Sequence, residues 1–428
     1  MPEVALAFIG CKLNRYEIQA MSESLERGGF DIVPFGQKVD CYIINTCSVT
    51  GGAEVTSRQL IRRAKRNSPD SKVVVTGCYA QLKPDEIQNI GIDLVVPNPE
   101  KEQLPSKIAG LFGKSCDFGD EDRGDEFGSS TISSMGDLTR AFVKIQEGCD
   151  RRCTYCTIWM TRGPIRSRRP EYIIAEINRL SENGYKEIVL TGVHIGKYSY
   201  DGMNLAGIVK LILGKTDMSR IRLSSLHPEE VDQKLIELMS SDSRICPHVH
   251  LSVQSGDDDI LRAMGRGYSR DDVLATIIAL KASIPGITIG ADMIVGFPGE
   301  TEEQFENSFA LVEEAGIHHL HVFPFSSRPG TKAADLPAQI DVATKKDRLN
   351  RLQDLGRRLK REHLNSYLGG DLHVLFERRD GNGNRDLTGL SENYLRINAR
   401  GSSAYQGRVV RVRPRVVDRD SLQAEVVE

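Results

Sequence analysis

The sequence predicts an α/β protein built from an N-terminal α/β domain with a parallel sheet, a central partial (β/α)6 barrel and a small C-terminal antiparallel β-barrel. Three observations lead to this prediction. Strand-like and helix-like stretches alternate in two long series, an acidic stretch separates the two series, and short β-rich runs broken by turn signals end the chain. Alternation of strands and helices is typical of a parallel sheet covered by helices.

The first series defines an N-terminal domain over residues 1–116. Its apolar runs predict buried strands, and its amphipathic stretches predict the helices between them. The predicted strands are residues 4–9, 41–45, 72–76 and 92–96, and the predicted helices are residues 17–28, 55–66 and 84–89.

Residues 117–134 then carry six acidic residues among glycines and serines, with almost no apolar side chain. Because such a composition buries too little apolar surface to fold alone, it predicts a flexible acidic linker. The acidic residues are Asp117, Asp120, Glu121, Asp122, Asp125 and Glu126.

The second series, residues 135–366, predicts six βα units, which suit an incomplete barrel or a complete one with short strands. A long basic helix is predicted at residues 344–363, and His319 and His321 share one face of the sixth strand, which we interpret as structural. The predicted strands are residues 141–146, 187–190, 221–224, 248–253, 288–295 and 319–325, with helices at residues 170–184, 271–283 and 301–316.

The last segment, residues 367–428, is rich in β-formers and in turn signals such as Gly381-Asn382-Gly383-Asn384. This pattern predicts a small antiparallel β-barrel. The β-rich runs are residues 372–377, 394–397, 408–413 and 423–427.

Composition narrows the function classes. The chain has 428 residues and a formal net charge of −3, so contact with nucleic acid would have to come from local basic patches. No run approaches the roughly 18–20 apolar residues needed to cross a bilayer, and the N-terminus lacks the basic segment of a signal peptide. We therefore expect a cytoplasmic protein without membrane association, in which nine cysteines, an odd number, favour metal or redox chemistry over disulfides.

The sharpest motif is the loop Gly148-Cys149-Asp150-Arg151-Arg152-Cys153-Thr154-Tyr155-Cys156, which follows a predicted strand. Three thiolates on a tight loop suit three corners of a 4Fe–4S cluster and leave the fourth iron without a protein ligand. The alternatives are a zinc site or three incidental thiols. Zinc normally takes a fourth Cys or His nearby, and none lies within the next 30 residues.

Three further cysteines, Cys11, Cys47 and Cys78, come immediately after predicted parallel strands. Since the carboxyl ends of parallel strands lie side by side, thiols dozens of residues apart in the sequence are expected to converge at one edge of the sheet. Buried core cysteines would instead lie within strands, as Cys41 does.

The C-x3-C-x2-C loop, with an aromatic residue before its last cysteine, resembles the radical S-adenosylmethionine (SAM) superfamily. The resemblance implies a 4Fe–4S cluster on Cys149, Cys153 and Cys156 that binds SAM and cleaves it, with one electron, to methionine and a 5′-deoxyadenosyl radical. Two residues, Ser252 and Gln254, alternatively cap the next helix, and the usual acidic residue beside Gly192 is absent. The implied SAM contacts are Tyr155, Gly192, Ser252, Gln254, Gly296, Phe297, Gly299 and Glu300.

With the motifs around Cys11, Cys47 and Cys78, nearly the whole chain resembles the methylthiotransferase family, and within it the threonylcarbamoyladenosine tRNA methylthiotransferases. The resemblance implies a second 4Fe–4S cluster on these cysteines. Its exposed iron would carry the sulfur that is inserted, with a methyl group, at adenine C2 beside the tRNA anticodon. It also implies a reducing electron donor such as flavodoxin or ferredoxin.

Three alternatives stay open, together with the oligomeric state. Two are relatives with the same chemistry that modify isopentenyladenosine in tRNA or an aspartate of a ribosomal protein. The third is a non-catalytic RNA-binding iron–sulfur sensor.

Basic patches supply candidate contacts to tRNA. Residues 151–169 carry six arginines and no acid, and the 344–363 helix carries eight basic residues against three acids. A single patch is more often a solvated face, but several patches beside both cysteine motifs favour RNA, and the C-terminal barrel resembles the RNA-binding TRAM domain. The predicted RNA contacts are Arg162, Arg166, Arg168, Arg169 and Tyr394.

Overall fold

The structure, a computed structural model, describes residues 1–116, 118, 127–377 and 386–427. The six acidic residues of the predicted linker and the predicted turn at residues 381–384 lie outside these ranges. Within the described residues, no helix combines the length and the apolar character needed to cross a membrane.

The N-terminal domain is a five-stranded parallel sheet between helices. Its strands are β1 Glu3–Phe8, β2 Asp31–Val33, β3 Cys41–Thr46, β4 Lys72–Gly77 and β5 Leu94–Val96. Its helices are α1 Lys12–Arg27, α2 Gly51–Asn67, α3 Cys78–Leu82, α4 Pro84–Gln88 and α5 Leu104–Leu111. The strand order is β2-β1-β3-β4-β5, and β3 is buried at every position, so both of its faces are covered. The prediction missed β2, α3 and α5; β2 and α3 are too short to give a periodic signal.

The central domain is an open barrel of six parallel strands. These are β6 Ala141–Lys144, β9 Glu187–Thr191, β10 Arg220–Leu223, β11 His248–Gln254, β12 Thr288–Val295 and β13 His319–Pro324, with a short ribbon of β7 Gln146–Glu147 and β8 Arg166–Ser167. Two three-stranded sheets, β10-β9-β6 and β11-β12-β13, meet through single bridges, among them Leu226 to Leu251. Since β6 and β13 stand at the two ends of this order, the barrel is incomplete, and the alternative of a complete barrel is wrong.

Helices surround the barrel on its outside. They are α7 Pro170–Glu182, α8 Leu205–Lys215, α9 Gln233–Ser241, α10 Asp258–Met264, α11 Arg270–Ser283 and α12 Glu302–Ala315. The short helix α6, Ile158–Arg162, instead packs against α3 of the N-terminal domain. On β11, Val249, Leu251 and Val253 belong to the core shared with these helices. Because side chains alternate along a strand, His248 and His250 therefore point into the barrel.

Residues 127–134, the described end of the predicted linker, pack firmly. Ile132 is fully buried in the barrel core, and the Gly128 amide donates to Glu102 Oε1 at 3.0 Å. The guanidinium of Arg168 donates to the carbonyl of Ser130 at 3.0 Å. The expectation of a flexible linker is therefore wrong for these eight residues, because burial and hydrogen bonds hold them in place.

Helix α1 joins the N-terminal domain to the open side of the barrel beside β6. Tyr16 and Ala20 of α1 are part of the barrel core, and Tyr16 Oη donates to Glu176 Oε2 at 2.9 Å. Since α1 begins directly after Cys11, this packing brings Cys11 to the barrel opening.

Helix α13, Val342–Asn365, leads to a closed barrel with the order β14-β15-β16-β18-β17. Its strands are β14 Leu372–Phe376, β15 Asp386–Ser391, β16 Arg396–Arg400, β17 Val409–Asp418 and β18 Ser421–Val426. The predicted barrel is confirmed, but it is not antiparallel throughout, because β16 and β18 pair in parallel. Strand β15 is absent from the prediction. Two arginines of β10 hold it against the central domain, because Arg220 Nη2 donates to the carbonyl of His373 (2.7 Å) and Arg222 Nη1 to that of Glu392 (3.0 Å).

Candidate active site

The thiol loop of residues 149–156 is held in one conformation by its neighbours. Gly148 has a φ of +78°, and a Cβ at this position would lie 1.8 Å from the Pro164 carbonyl oxygen. The Cys149 amide donates to the Gly163 carbonyl at 3.1 Å, and the Thr154 amide donates to the last residue of α10 at 2.9 Å. Only glycine fits the turn that starts the loop.

The three thiols of this loop influence one another. Burial raises the pKa of Cys156 to about 12, and the charges of Cys153 and Cys149 act in the same direction. Two of the sulfurs also meet donors, since the Ile158 amide lies 3.4 Å from Cys156 Sγ and Arg266 Nη1 lies 3.4 Å from Cys153 Sγ. Bound iron stabilises buried thiolates of this kind, so the donor set fits a cluster that takes three cysteines.

A histidine that the sequence reasoning missed, His194, stands beside the loop. Its Nδ1 lies 3.5 Å from Cys149 Sγ, and its Nε2 contacts Glu230 at 2.5 Å. Burial lowers the pKa of His194, but the hydrogen bonds with Cys149 and Glu230 outweigh burial and raise it to about 9. Ligand atoms of Cys149, Asp150 and His194 come within 4.8 Å of one another, but a single ion there would leave the other two thiols of the loop unused. The sequence could have pointed to His194, because it lies two residues after Gly192, at the end of a barrel strand where SAM contacts were predicted.

Backbone positions predicted to contact SAM lie at the carboxyl ends of barrel strands. Gly192 follows β9, and a Cβ there would lie 2.7 Å from the Gln146 carbonyl oxygen. After β12, Gly296 and Gly299 have φ angles of +70° and +83°. At Gly192 and Gly296 the missing Cβ leaves room for Gln146 and Lys345, whereas the space beside Gly299 is open, which allows close approach to the main chain there. The contacts of all three glycines with SAM stay predictions.

Ser252 and Gln254 lie at the end of β11 and do not cap the next helix. The cap of α10 is Asp257, whose side chain accepts from the first amides of the helix. Gln254 has a φ of +71°, which is uncommon for a residue with a side chain and is frequent at ligand sites. The capping interpretation is therefore wrong, and the predicted SAM contact of both residues remains.

Two predicted SAM contacts need correction. Phe297 is fully buried and packs edge-on against Phe325, with ring centroids 5.5 Å apart. Glu300 is 2% exposed, and its Oε2 accepts from the Gly296 amide (2.7 Å) and from Arg348 Nη1 (2.8 Å). Both side chains contact other parts of the protein, and the hydrogen bond from the Gly296 amide to Glu300 supports the conformation of the Gly296 loop. Tyr155 is half-buried and packs against the apolar side chains around Phe297 and Phe325.

The second group of cysteines converges at the carboxyl edge of the N-terminal sheet. Thr46 pairs with Gly77 in the register of β3 and β4, which sets Cys47 and Cys78 side by side. Gly10 has a φ of +104°, and a Cβ there would lie 2.8 Å from Cys47 Sγ. Gly77, with a φ of +99°, would place a Cβ 2.3 Å from the Thr46 carbonyl oxygen. The glycines before Cys11 and Cys78 thus allow the strand ends to approach each other.

The environment of this second group also fits a metal cluster. Burial raises the pKa of Cys47 to about 11, and the charges of Cys78 and Cys11 add to this effect. Cys47 and Cys78 are buried, whereas Cys11 is exposed at the barrel opening. Three thiols that come from three strand ends, two of them shielded from water, form a donor set suited to a cluster with one face open.

Arg162, six residues after Cys156, contacts the second thiol group, and its predicted contact with RNA is wrong. The residue is 4% exposed, and its Nε donates to Cys78 Sγ at 3.2 Å. Nη1 donates to Glu147 Oε1 at 2.9 Å and also bonds Glu17. An arginine that is fully used inside an interface is unavailable to a phosphate.

Four charged residues that the sequence reasoning missed complete this network. Lys101 Nζ lies 2.7 Å from Glu17 Oε2, and Lys144 Nζ lies 2.6 Å from Glu147 Oε2. Burial pushes the pKa of Glu17 upward, but the positive charges of Arg162, Lys101 and Lys144 outweigh it and hold this pKa well below the usual range. Only Lys144, a charge at the end of the apolar strand Ala141–Lys144, gave a signal in the sequence, because buried positions accept a charge only when it is paired. Glu17 and Lys101 lie in polar segments and gave none.

The other predicted RNA contacts divide into two kinds. Arg168 is fully buried and pairs with Glu176 at 2.9 Å. Tyr394 stacks on His248 with ring centroids 4.4 Å apart, and Arg222 lies over its ring. Arg168 is corrected to a structural role, because its guanidinium is packed inside the protein. The Tyr394 ring is half-buried, and its contact with RNA stays a prediction. Arg166 and Arg169 are partly exposed, and their contact with RNA stays a prediction.

Comparison with known proteins agrees with this geometry. A model of the radical SAM superfamily matches residues 143–312, and a model described as an uncharacterized protein family, UPF0004, matches residues 3–97. The chain is 36% identical to the threonylcarbamoyladenosine tRNA methylthiotransferase MtaB of Bacillus subtilis, over 96% of this chain and 94% of that protein. The MtaB of Thermotoga maritima is 38% identical over 88% of this chain and 87% of its own.

A second group of relatives carries a different name. The tRNA-2-methylthio-N(6)-dimethylallyladenosine synthase of Bacillus cereus is 34% identical over 98% of this chain and 84% of its own. Among solved structures, the radical SAM methyltransferase TsrM of Kitasatospora setae has a TM-score of 0.58 at 16% identity, covering 78% of this chain and 77% of its own. At that identity the likeness shows the fold alone.

Proposed function

The chain belongs to the radical SAM methylthiotransferase family, and from this premise we propose that it converts N6-threonylcarbamoyladenosine beside the anticodon of tRNA to its 2-methylthio derivative. The observation that carries the proposal is Arg162. This residue lies six positions after Cys156 of the first thiol group and donates to Cys78 of the second group at 3.2 Å. Two donor sets for iron–sulfur clusters therefore lie on neighbouring sides of one interface.

The chemistry divides between these two donor sets. When bound, the first cluster supplies the electron that cleaves SAM, and the second carries the sulfur that is transferred. The chain's own residues hold and orient the reactants. Gly192, Gly296 and Gly299 present main chain to SAM, and Ser252 and Gln254 present side chains from the end of β11. Helix α1 carries Cys11 to the open side of the barrel, where a nucleoside can enter.

The choice of substrate is supported by relatives and by a motif. The MtaB proteins named above and a third from Aquifex aeolicus, 36% identical over 96% of this chain, carry the threonylcarbamoyladenosine name. The opening Cys11-Lys12-Leu13-Asn14 also resembles that group. The alternatives within the family are isopentenyladenosine in tRNA and an aspartate of a ribosomal protein.

The tRNA backbone would meet the exposed basic residues near both thiol groups. Arg166 and Arg169 are partly exposed beside the first group, and Arg62, Arg63 and Arg66 are exposed on α2 behind the second. These residues are suited to phosphate contacts that weaken as salt rises. A cytoplasmic location and a small reducing protein such as flavodoxin or ferredoxin complete the proposal.

The deciding experiment incubates the anaerobically reconstituted enzyme with SAM, a reductant and three substrates in separate reactions. These are tRNA with threonylcarbamoyladenosine, tRNA with isopentenyladenosine, and the ribosomal protein. We expect a methylthio mass increment on the first substrate. An increment on either of the others alone would replace the proposed substrate.

A different class of function, a non-catalytic iron–sulfur sensor that binds RNA, is tested in the same preparation. A sensor would release no 5′-deoxyadenosine when the reduced protein meets SAM. We expect release, because the three thiols of the loop leave one iron of a cubane cluster without a cysteine.

A further inference from the structure

Three polar side chains form one layer across the interior of the barrel. Asp292 of β12 is the register partner of His321 of β13, and His250 of β11 stands beside Gly290 on the other side. Asp292 Oδ1 accepts from His250 Nε2 at 2.9 Å and from His321 Nδ1 at 3.2 Å. We call these three residues, His250, Asp292 and His321, the His-Asp-His layer.

The His-Asp-His layer lies deeper in the barrel than the proposed SAM contacts. His250 precedes Ser252 by two residues and Gln254 by four on the same strand. At about 3.3 Å per residue, the layer lies roughly 7 Å below Ser252. A nucleoside that meets SAM at the strand ends could therefore extend a side group down to this layer.

Lys12 faces the same interior from the N-terminal domain. It follows Cys11 directly, and the charges that act on its ammonium include Tyr394, Arg222 and Asp292. Lys12 is exposed to water although the surrounding protein lowers its pKa by burial, as expected for a side chain that lines an open chamber.

Lys12 also differs from the other cations around the barrel. Lys101 and Lys144 are paired with buried glutamates, and Arg222 donates to Glu187 at 2.8 Å. Among the residues that the structure describes, no hydrogen bond or ion pair engages Lys12. It is thus a cation without a protein partner, next to a second-group cysteine and in electrostatic reach of the His-Asp-His layer.

The two candidate nucleosides differ in the N6 group that would reach the His-Asp-His layer. A threonylcarbamoyl group ends in a carboxylate and a hydroxyl, whereas an isopentenyl group has only carbon atoms. A chamber lined by an ammonium and imidazoles would leave polar groups unpaired around the isopentenyl group, and sites of this kind discriminate strongly against such analogues.

We propose that Lys12 and His321, the latter oriented by Asp292, form the subsite that binds the carboxylate and hydroxyl of the N6-threonylcarbamoyl group and so selects the tRNA. This inference rests on the proposed function and names the residues that read its substrate. Lys12 supplies the charge. The Nε2 atom of His321 lies 3.2 Å from Nε2 of His319, and on binding it donates to the substrate in place of this ring. His250, on the far side of Asp292, fixes the carboxylate that orients His321.

A metal ion is the rival occupant of the layer. The ligand atoms of His250, Asp292 and His321 lie within 4.8 Å of one another, and two imidazoles with a carboxylate suit several divalent transition metals. Against a metal ion, Asp292 is already engaged by both rings, and the positive charge of Lys12 opposes a dication nearby.

The test uses the full-length, cluster-reconstituted enzyme with Lys12→Met and His321→Phe. Lys12→Arg keeps the charge at the subsite, and Lys210→Met removes a matched charge from the exposed face of α8. For each protein, kcat and KM are measured on tRNA with threonylcarbamoyladenosine and on tRNA with isopentenyladenosine, together with bound iron and the Kd for tRNA.

We expect Lys12→Met and His321→Phe each to lower kcat/KM for the threonylcarbamoyl tRNA roughly 10- to 100-fold, the loss of a charge-assisted hydrogen bond. The preference over the isopentenyl tRNA should fall by the same factor. Lys12→Arg should recover most of the rate, Lys210→Met should match the wild type, and iron content and tRNA affinity should not change. Unchanged iron separates loss of the subsite from damage to the neighbouring cluster.

The outcomes that overturn the inference are distinct from those that overturn the function. A wild type that acts on the threonylcarbamoyl tRNA, with both variants within twofold of it, removes the subsite and leaves the function standing. A wild type inactive on that tRNA removes both. A divalent metal in addition to the cluster iron, present in the wild type and lost in His321→Phe, assigns the layer to the metal.

Discussion

The two thiol groups offer the same number of ligands but are built in different ways. The first group lies within eight residues, 149–156, on a single loop behind one strand. The second collects Cys11, Cys47 and Cys78 from three strand ends, and an arginine of the other domain contacts one of its sulfurs. The first is a local structure that the loop sequence dictates, whereas the second exists only when the sheet and the domain interface are complete.

The first group should therefore depend mainly on its own cysteines, and the second also on correct packing of the domain interface. Loss of a cysteine should impair cluster binding at whichever thiol group it belongs to. Loss of a residue in the domain interface should impair mainly the second group. The four changes below test that expectation from the largest effect to the smallest.

Cys153→Ala should abolish both 5′-deoxyadenosine formation and methylthiolation. Removal of one of three thiolates leaves the first group with two ligands, so its cluster has too few anchors. Both products are measured by mass spectrometry after anaerobic reconstitution. Iron should fall from about eight to about four per chain, the content of one cubane cluster. SAM cleavage by the variant at the wild-type rate would mean that the first group does not bind the catalytic cluster.

Cys47→Ala should abolish methylthiolation yet leave SAM cleavage in place. The second group would lose its central ligand, while the first loop lies in the other domain. Iron should again fall to about four per chain. Cys116→Ser is the matched control, because Cys116 is half-buried and belongs to neither group, and its iron content should equal the wild type. Full methylthiolation by the Cys47 variant would contradict the assignment of the second group.

Arg162→Met should destabilise the protein by about 3–5 kcal/mol, the usual cost of removing one partner from a buried ion pair. The lower end is expected, because Lys101 and Lys144 still face Glu17 and Glu147. Denaturant unfolding of the cluster-free protein measures the change. The control Arg152→Met affects an exposed arginine of the same segment and should stay within about 0.5 kcal/mol. Equal stability of the two variants would remove Arg162 from the interface.

Gly77→Ala should cost about 1–3 kcal/mol, because alanine is strained at a φ of +99° and its Cβ would lie 2.3 Å from the Thr46 carbonyl oxygen. We expect lower unfolding free energy and less iron on the second group after reconstitution. Gly214→Ala on α8 is the control, since a Cβ there has no heavy atom within 4 Å. That change should stabilise the helix by about 0.5–1 kcal/mol. Similar shifts for both variants would show that the Gly77 turn does not limit assembly.

Much of this arrangement follows from the sequence. The spacing of Cys149, Cys153 and Cys156 is a local property, so the first group was recognisable from one stretch of chain. The second group was also predictable, because strands with buried patterns pair in parallel and their ends share an edge. The order of domains and the six βα units of the barrel follow in the same way from alternating strands and helices, whereas only the structure decided that the barrel is open.

The roles of individual charged and aromatic residues were decided only by the tertiary structure. Arg162 and Arg168 look like RNA-binding residues in the sequence, yet both are packed inside the protein. A guanidinium that binds phosphate and one that neutralises Glu17 look alike in the sequence, because the partner lies 145 positions away.

Phe297 and Glu300, which the sequence predicted as SAM contacts, show the same limit. Periodicity and motif spacing report which elements form and where they end, and these determine the thiol groups. Whether a particular side chain meets solvent, ligand or another side chain depends on distances between segments far apart in the chain. The His-Asp-His layer, assembled from three strands, exists only at that level, because contact between side chains is a property of packing rather than of sequence order.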